Sequence, residues 1–416
     1  MAIFLGRACP DCEALSCEIS GKVSIFRRGW RLLAAETGSG PEGSRLTVDI
    51  WCPQGCRVEE GHHVKERHAI PIPITSLFLV NFVSKVCIIG ASGKVGQFAA
   101  YAISKIPFVS RLILFGREGN EDFLEGIKLD FIDSFSALGR DVKLSASTNP
   151  GDIEGSDVVI ITSGVPRSPG QDRLDLAKQN ARVVAYYSKL IAEHAPNAII
   201  MVVSNPVDVM TAVALECSGF APSRVFGLGT HLDSMRLKSY IANHFSVHVS
   251  EVHTRIIGEH GETMVPLWSA TTIGGIQIQN LPEFSSLPKE EFVECVKTAG
   301  SEIINKCGAT IYGPGEAIAT IIRTVLGNEN RILSVSAYIR SEVNDIGDVC
   351  IGVPVRINRK GVFPVPIRIS EDEVSGFQRS VDRIKSITHE VVSDLKSETA
   401  ELEKKNNVVH ENDLLF

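Results

Sequence analysis

Two arginines and one histidine define the chemistry open to this chain. Arg167 and Arg173 flank Pro169-Gly170 in the segment VIITSGVPRSPGQDRLDLAKQN, residues 159–180. His260 stands between Gly258 and Gly261 in RIIGEHG. Two cations in one short loop suit a small dianionic substrate. A histidine titrates near neutrality, so it can pass a proton to or from such a substrate. Each residue also has a plainer reading, since most loop arginines are simply solvated and most single histidines are structural. Asp233 in GLGTHLDSMR supplies what an acid–base histidine needs, a carboxylate to orient its ring. Arg236 follows three residues later, on the same helix face. That spacing fits a local ion pair that occupies Arg236, and it equally fits an arginine left open to substrate. Asn205, before Pro206, either ends a strand or offers its amide to a substrate oxygen.

These residues need elements to position them, and from Ser84 the sequence supplies them. Apolar strands alternate with amphipathic helices: 85–90 reads as a strand, 94–105 as a helix, 112–115 as a strand and 124–138 as a helix. Strands at 142–146, 157–162 and 198–204 follow, with helices at 172–194 and 207–217. This is the texture of an α/β, Rossmann-type doubly wound parallel sheet. A Pro/Gly loop after a parallel strand lies where such sheets bind ligands, and it can close as a lid. Beyond about residue 225 strands and helices mix, with hairpin signals at Gly274-Gly275 and at 358–361, which reads as an α+β substrate domain. The expected division is an irregular extension (1–83), a dinucleotide-binding domain (84–225), a substrate domain (226–403) and a frayed tail (404–416).

The first strand runs into Gly90-Ala-Ser-Gly93-Lys-Val-Gly96, which then opens a helix. Glycines admit a pyrophosphate to the backbone, and a helix N-terminus favours its charge. The expected cofactor set is Gly90, Ser92, Gly93, Lys94, Val95, Gly96, Gly116, Arg117, Asn180 and Asn205. An NAD site normally carries an acid at the end of the second strand, for the ribose 2′-hydroxyl. Here LILF ends in Gly116-Arg117-Glu118. Without that acid a 2′-phosphate meets no repulsion, and Arg117 can pair with it. Otherwise Arg117 is solvated and Glu118 accepts the ribose hydroxyl. The expected cofactor is therefore NADP, NAD or both.

Composition sets the outer limits. The 416 residues carry a net charge of −7 with 22% charged and 44% hydrophobic residues, which predicts a soluble core and argues against a general nucleic-acid surface. The longest apolar-leaning run, 69–84, is too short to span a membrane and holds Pro71 and Pro73. Ten cysteines at irregular spacing in a large chain point to reduced thiols and a cytoplasmic location. No metal site is expected in the enzyme body. The extension holds nine Lys/Arg and nine Asp/Glu before Val83, unlike an acid-poor transit peptide. It reads as an over-extended reading frame with Val83 as an alternative start, or as a disordered genuine extension. A third reading is a zinc module of Cys9, Cys12, Cys52 and Cys56 with His62, His63 and His68, against which the unequal cysteine spacing counts.

GASGKVG, VIITSGVPRSPGQDR, SNPVDVMT, GLGTHLDSMR and IIGEHGETMVP occur in order between about residues 83 and 395. In these motifs the chain resembles the lactate/malate dehydrogenase family, and most closely its archaeal-type malate dehydrogenases. The resemblance implies reversible hydride transfer between malate and oxaloacetate with NAD(P), a place in the tricarboxylic acid cycle, and a homodimer or homotetramer. It makes His260 the proton donor and acceptor, with Asp233 fixing its tautomer. It assigns Arg173 to polarising the substrate carbonyl, Arg236 to the C1 carboxylate, Asn205 to the reacting oxygen and Arg167 to the distal carboxylate. Gln171 and Asp172 depart from the commoner Met and Ser/Thr, and Asp172 adds a negative charge beside the two arginines. Lactate or another 2-hydroxy acid is the alternative substrate. A cofactor-sensing protein without turnover is the non-enzymatic alternative, against which the intact His260, Asp233 and arginines count.

Overall fold

A computed structural model describes residues 26–27, 30–37, 45–51, 84–165 and 173–413, with side chains described for 84–165 and 174–398. Met1–Phe82 and Val83–Phe416 form separate units. In the first unit the strands β1 (Phe26–Arg27), β2 (Trp30–Thr37) and β3 (Arg45–Trp51) form an antiparallel sheet. That corrects the expectation of an irregular segment. The alternation in RLTVDIW is short, and the Gly/Pro/Ser-rich stretch before it masks the pairing. The cysteines and histidines of the possible zinc module lie outside the described residues.

The second unit is built on a nine-stranded sheet. Its parallel half comprises β4 (Ser84–Ile89), β5 (Val109–Phe115), β6 (Lys143–Ser147), β7 (Val158–Ile161), β8 (Ile199–Val202) and β9 (Val225–Gly227). Their spatial order, β9-β8-β7-β4-β5-β6, reverses direction between β4 and β7, the switch point where doubly wound sheets bind ligands. The helices α1 (Lys94–Ser104), α2 (Glu121–Leu138), α3 (Arg173–His194) and α4 (Val207–Ser218) connect and cover these strands. Because helices cover both faces, the central strands are apolar without alternation: Val86 to Ile89 and Val158 to Ile161 are all fully buried. Each buried Ile or Val contributes about 1.5–3 kcal/mol through apolar burial.

Downstream, α5 (His231–His244) is followed by the short strands β10 (Val252–His253), β11 (Ile256–Ile257), β12 (Val265–Pro266), β13 (Thr272–Ile273) and β14 (Ile276–Gln277). The helices α6 (Lys289–Cys307) and α7 (Tyr312–Leu326) come next, then β15 (Arg331–Ile339), β16 (Val349–Asn358) and β17 (Gly361–Pro364). These last three strands are antiparallel, and they extend the main sheet where Ser336 pairs with Gly227 of β9. The expected hairpins are present, β13–β14 around Gly274-Gly275 and β16–β17 around Arg359-Lys360. The last helix, α8, runs from Glu371 to Asp413. The expected frayed tail is therefore helical for about ten residues beyond Glu403, since KKNNVVHEND contains no glycine or proline to stop it. Nearer its start, α8 lies against α3 through Lys178, which bonds Glu390 at 3.0 Å and Asp394 at 2.8 Å. No helix among the described residues is long and apolar enough to cross a membrane, and no cluster there has the makings of a metal site.

Candidate active site

The histidine loop is anchored by backbone before its side chains matter. Gly258 has φ +88°, and its N–H donates to Gly352 of β16 at 2.8 Å while the reverse bond measures 3.1 Å. A Cβ on Gly258 would lie 2.7 Å from Ser380 Oγ, and one on Gly352 would lie 2.7 Å from Gly258 O. This ladder fixes where His260 emerges. Its Nδ1 lies 2.6 Å from Asp233 Oδ2, in the first turn of α5. The Asp233 side chain is 1% exposed and the His260 side chain 28% exposed, so the acid is enclosed and the ring keeps an open side. The negative charge of Asp233 raises the His260 pKa, against the opposing effect of burial, and Asp208 adds to the rise while Arg236 reduces it.

Arg236 extends from the same helix. Its Nη1 is 3.4 Å from Asp233 Oδ1, and its side chain is 16% exposed. The local ion pair anticipated from the spacing is thus present, but it is long and engages a single nitrogen. Four of the five guanidinium N–H groups are therefore not committed to Asp233. Asn205 sits in a cis peptide with Pro206 at the end of β8, with its side chain exposed. Asn180 has a fuller set of partners than expected of a cofactor ligand. Its Oδ1 accepts from Val165 N–H at 2.7 Å, and its Nδ2 donates to the carbonyls of Asn205 at 2.7 Å and Val165 at 3.2 Å. Its amide therefore clamps the chain entering the arginine loop to the strand end that carries Asn205. Arg173 is the first residue of α3, but its side chain and the whole of Arg167 lie outside the described residues.

The glycine turn lies at the switch point. Gly90 has φ +89°, and the amides of Gly90 and Ala91 donate to Phe115 O across β4–β5. A Cβ on Gly96 would lie 2.4 Å from Gly90 O, so α1 approaches the turn to a distance that only glycine permits. The N-cap of α1 is Gly93, with no side chain capping it, so the first amides of the helix face outward without an internal acceptor. Such a cradle fits a dinucleotide pyrophosphate. Ser92 accepts a bond from Asn120 Nδ2 at 3.3 Å, while Gly93 and Lys94 are exposed and Val95 is half-buried at the helix start. At the end of β5 Gly116 is buried, whereas Arg117 and Glu118 are exposed. Among the described residues Arg117 pairs with no carboxylate. The nearby acid Glu121 is engaged instead with Thr148 Oγ1 at 2.8 Å and Gly119 N–H at 3.2 Å.

Sequence reasoning missed Asp208. It is 2% exposed, and its Oδ2 accepts the His260 backbone N–H at 2.9 Å. An acid in the first turn of a helix is usually explained by the helix dipole, so nothing local marks this one as reaching 52 residues along the chain. Also unforeseen was the support behind the loop. Glu259 N–H donates to Ser380 Oγ at 2.6 Å, and the Glu259 carboxylate accepts from Thr263.

A parallel sheet with a glycine cradle at its switch point, in a chain that also holds an enclosed carboxylate–imidazole pair, fits a dinucleotide-dependent acid–base enzyme. Family models match both parts of this unit. The lactate/malate dehydrogenase NAD-binding domain matches 84–227, and the lactate/malate dehydrogenase alpha/beta C-terminal domain matches 230–395. The chain is 49% identical over 310 residues to an L-2-hydroxycarboxylate dehydrogenase (NAD(P)(+)) of Methanocaldococcus jannaschii, covering 74% of this chain and 99% of that one. It is 47% identical over 321 residues to a malate dehydrogenase of Methanothermobacter thermautotrophicus, covering 76% and 99%. The solved malate dehydrogenase of Salinibacter ruber superposes with a TM-score of 0.68 at 34% identity, covering 76% of this chain and 99% of that one. The chain belongs to the lactate/malate dehydrogenase family.

Proposed function

We propose that this protein interconverts malate and oxaloacetate with NAD or NADP. The observation that carries the reading is the 2.6 Å contact between His260 and the enclosed Asp233, in a chain 47% identical to an archaeal malate dehydrogenase. When bound, the nicotinamide supplies the hydride chemistry. His260, neutral, takes the hydroxyl proton of malate at Nε2 and, protonated, returns it to oxaloacetate. Asp233 holds Nδ1 as a donor, which leaves Nε2 to the substrate, and it stabilises the cation that forms. Arg236 meets the C1 carboxylate, Arg173 and Asn205 the reacting oxygen, and Arg167 the distal carboxylate. The working domains are 84–225 and 226–403, in a cytoplasmic homodimer or homotetramer.

A second reading is a wider range of 2-hydroxy acids, favoured by the 49% identity to an enzyme named L-2-hydroxycarboxylate dehydrogenase (NAD(P)(+)). One assay separates the two: initial rates with oxaloacetate and pyruvate, each with NADH and NADPH. Malate specificity predicts a large preference for oxaloacetate that depends on Arg167. An arginine desolvated without its partner costs about 2–5 kcal/mol, so Arg167→Gln should lower oxaloacetate kcat/KM by orders of magnitude and narrow the gap to pyruvate. Unchanged relative rates would remove Arg167 from specificity, and no turnover of any pair would leave only a cofactor-sensing role.

A further inference from the structure

We propose that Asp208 is a positioning residue for this reaction: its buried carboxylate grips the His260 amide and, by its charge, favours the protonated imidazole. The inference rests on reading His260 as the acid–base group. Asp208 lies in the first turn of α4, yet it does not cap its own helix, whose N-cap is Pro206 with no side-chain bond. It reaches instead to the His260 N–H at 2.9 Å. Its other oxygen, Oδ1, is fully buried and has no partner in hydrogen-bonding geometry among the described residues, although the buried Ser336 hydroxyl of β15 acts on the carboxylate.

A neutral asparagine would satisfy one backbone amide as well. A carboxylate in this place costs desolvation that a single amide bond does not repay, and a nearby cation would offset that cost. Among the described residues the cation available is the His260 imidazolium. The charged groups facing the ring, among the described residues, are Asp233 and Arg236 from α5 and Asp208 from α4. Facing Asp208 are His260 and Glu259 from the histidine loop, with the Cys350 thiol on the β16 side. Glu259 in turn has Arg383 at 3.6 Å. Among the described residues, two carboxylates thus act on one imidazole against one guanidinium. Burial pushes the Asp208 pKa up to about 6, and the acid and the imidazole each act on the other's charge.

The test is the pH dependence of kcat/KM for Asp208→Asn in both directions, with the His260 ring followed by NMR of histidine-labelled enzyme. The His260 resonance is assigned by its absence from His260→Asn. Asparagine keeps an acceptor for the amide and removes the charge. The expected result is a His260 titration displaced to lower pH by roughly half a unit or more, about a threefold rate change on the limb. Malate oxidation then persists to lower pH, and oxaloacetate reduction declines at lower pH than in the parent. A merely structural role would instead depress both directions equally at every pH with the titration unmoved, and that result overturns the proposal. Should Asp208→Asn fail to fold, Asp208→Ser serves. It removes the same charge and should move the titration the same way, and an unmoved titration there overturns the proposal too. An active His260→Asn, in contrast, would defeat the acid–base reading itself and leave the NMR titration of Asp208→Asn to judge the coupling.

Discussion

In the turn at 90–96 backbone bonds set the path, and the Gln97, Asn120 and Thr162 side chains add to them. Gly90 and Ala91 donate to Phe115 O, Gly93 donates to Gly90 O, and Gln97 N–H returns to Gly93 O. In the loop at 258–263 side chains do most of this work: Asp233 on the imidazole, Asp208 on the amide, and Ser380 and Thr263 on Glu259. A site made of backbone is sensitive to volume, because any Cβ meets atoms that cannot rotate away. A site made of buried carboxylates is sensitive to charge, because low dielectric magnifies each gain or loss. Volume changes should therefore impair the cofactor half, and charge changes the proton-transfer half.

The largest effect is expected from His260→Asn. Turnover should fall at least about 10²-fold, the lower range for removing an acid–base group. Binding of NADH, measured by its fluorescence, should be retained, since the glycine turn is untouched. In the parent, Asp233 raises the His260 pKa, so the imidazolium persists to higher pH than in a free histidine. Oxaloacetate reduction needs that imidazolium and should decline as pH rises through the raised value, while malate oxidation should increase over the same interval. Loss of NADH binding in the variant would break the separation between the two halves.

Gly96→Ala tests the other half. Its Cβ would lie 2.4 Å from Gly90 O and 3.0 Å from the Ala91 Cα, both backbone atoms. The turn must open, at a cost of about 1–3 kcal/mol. That predicts dinucleotide affinity lower by roughly tenfold or more, with the pH dependence of residual turnover unchanged. Gly93→Ala is the milder control, since its Cβ would meet Gly90 O at 3.3 Å. Equal losses from the two variants would show that close packing of α1 on the turn is not what the cofactor needs.

How much was legible in the sequence follows the same division. The parallel strands and GASGKVG were readable because buried strands are continuous apolar runs and a tight strand-to-helix turn demands glycine. The His260–Asp233 pair was readable only as a pairing of types, since nothing in the sequence measures the 2.6 Å between them. Asp208 was not readable. The signal was present, an acid three residues after Asn205, but its partner is an amide far along the chain, and the helix dipole already accounted for an acid there. The strands at 30–37 and 45–51 were missed for a different reason: a short hairpin without a long alternating run leaves little periodic signal.

The smallest effect is expected at the tip of β5, where both kinds of sensitivity meet. Arg117 is exposed and pairs with no carboxylate among the described residues, so its charge can be removed without disturbing packing. If it contacts a 2′-phosphate, Arg117→Ser should lower the NADPH/NADH ratio of kcat/KM by roughly tenfold, matching about 1.5 kcal/mol for one charge-assisted hydrogen bond. Gly116→Asp should lower the ratio further, by placing a carboxylate where it accepts a ribose hydroxyl and repels a phosphate. That variant also carries a steric penalty, because a Cβ on Gly116 would lie 2.7 Å from Leu124 Cδ1 in α2. The obstructing atom is the end of a side chain, so Leu124 can shift, and the cost should appear as a lower Tm. Gly116→Ala separates the two effects, since it adds the volume without the charge. A ratio that falls in Gly116→Asp but holds in Gly116→Ala assigns cofactor choice to charge at this tip. Equal falls would assign it to the displacement of Leu124, and a parent enzyme that rejects NADPH outright would dispose of the reading of Gly116-Arg117.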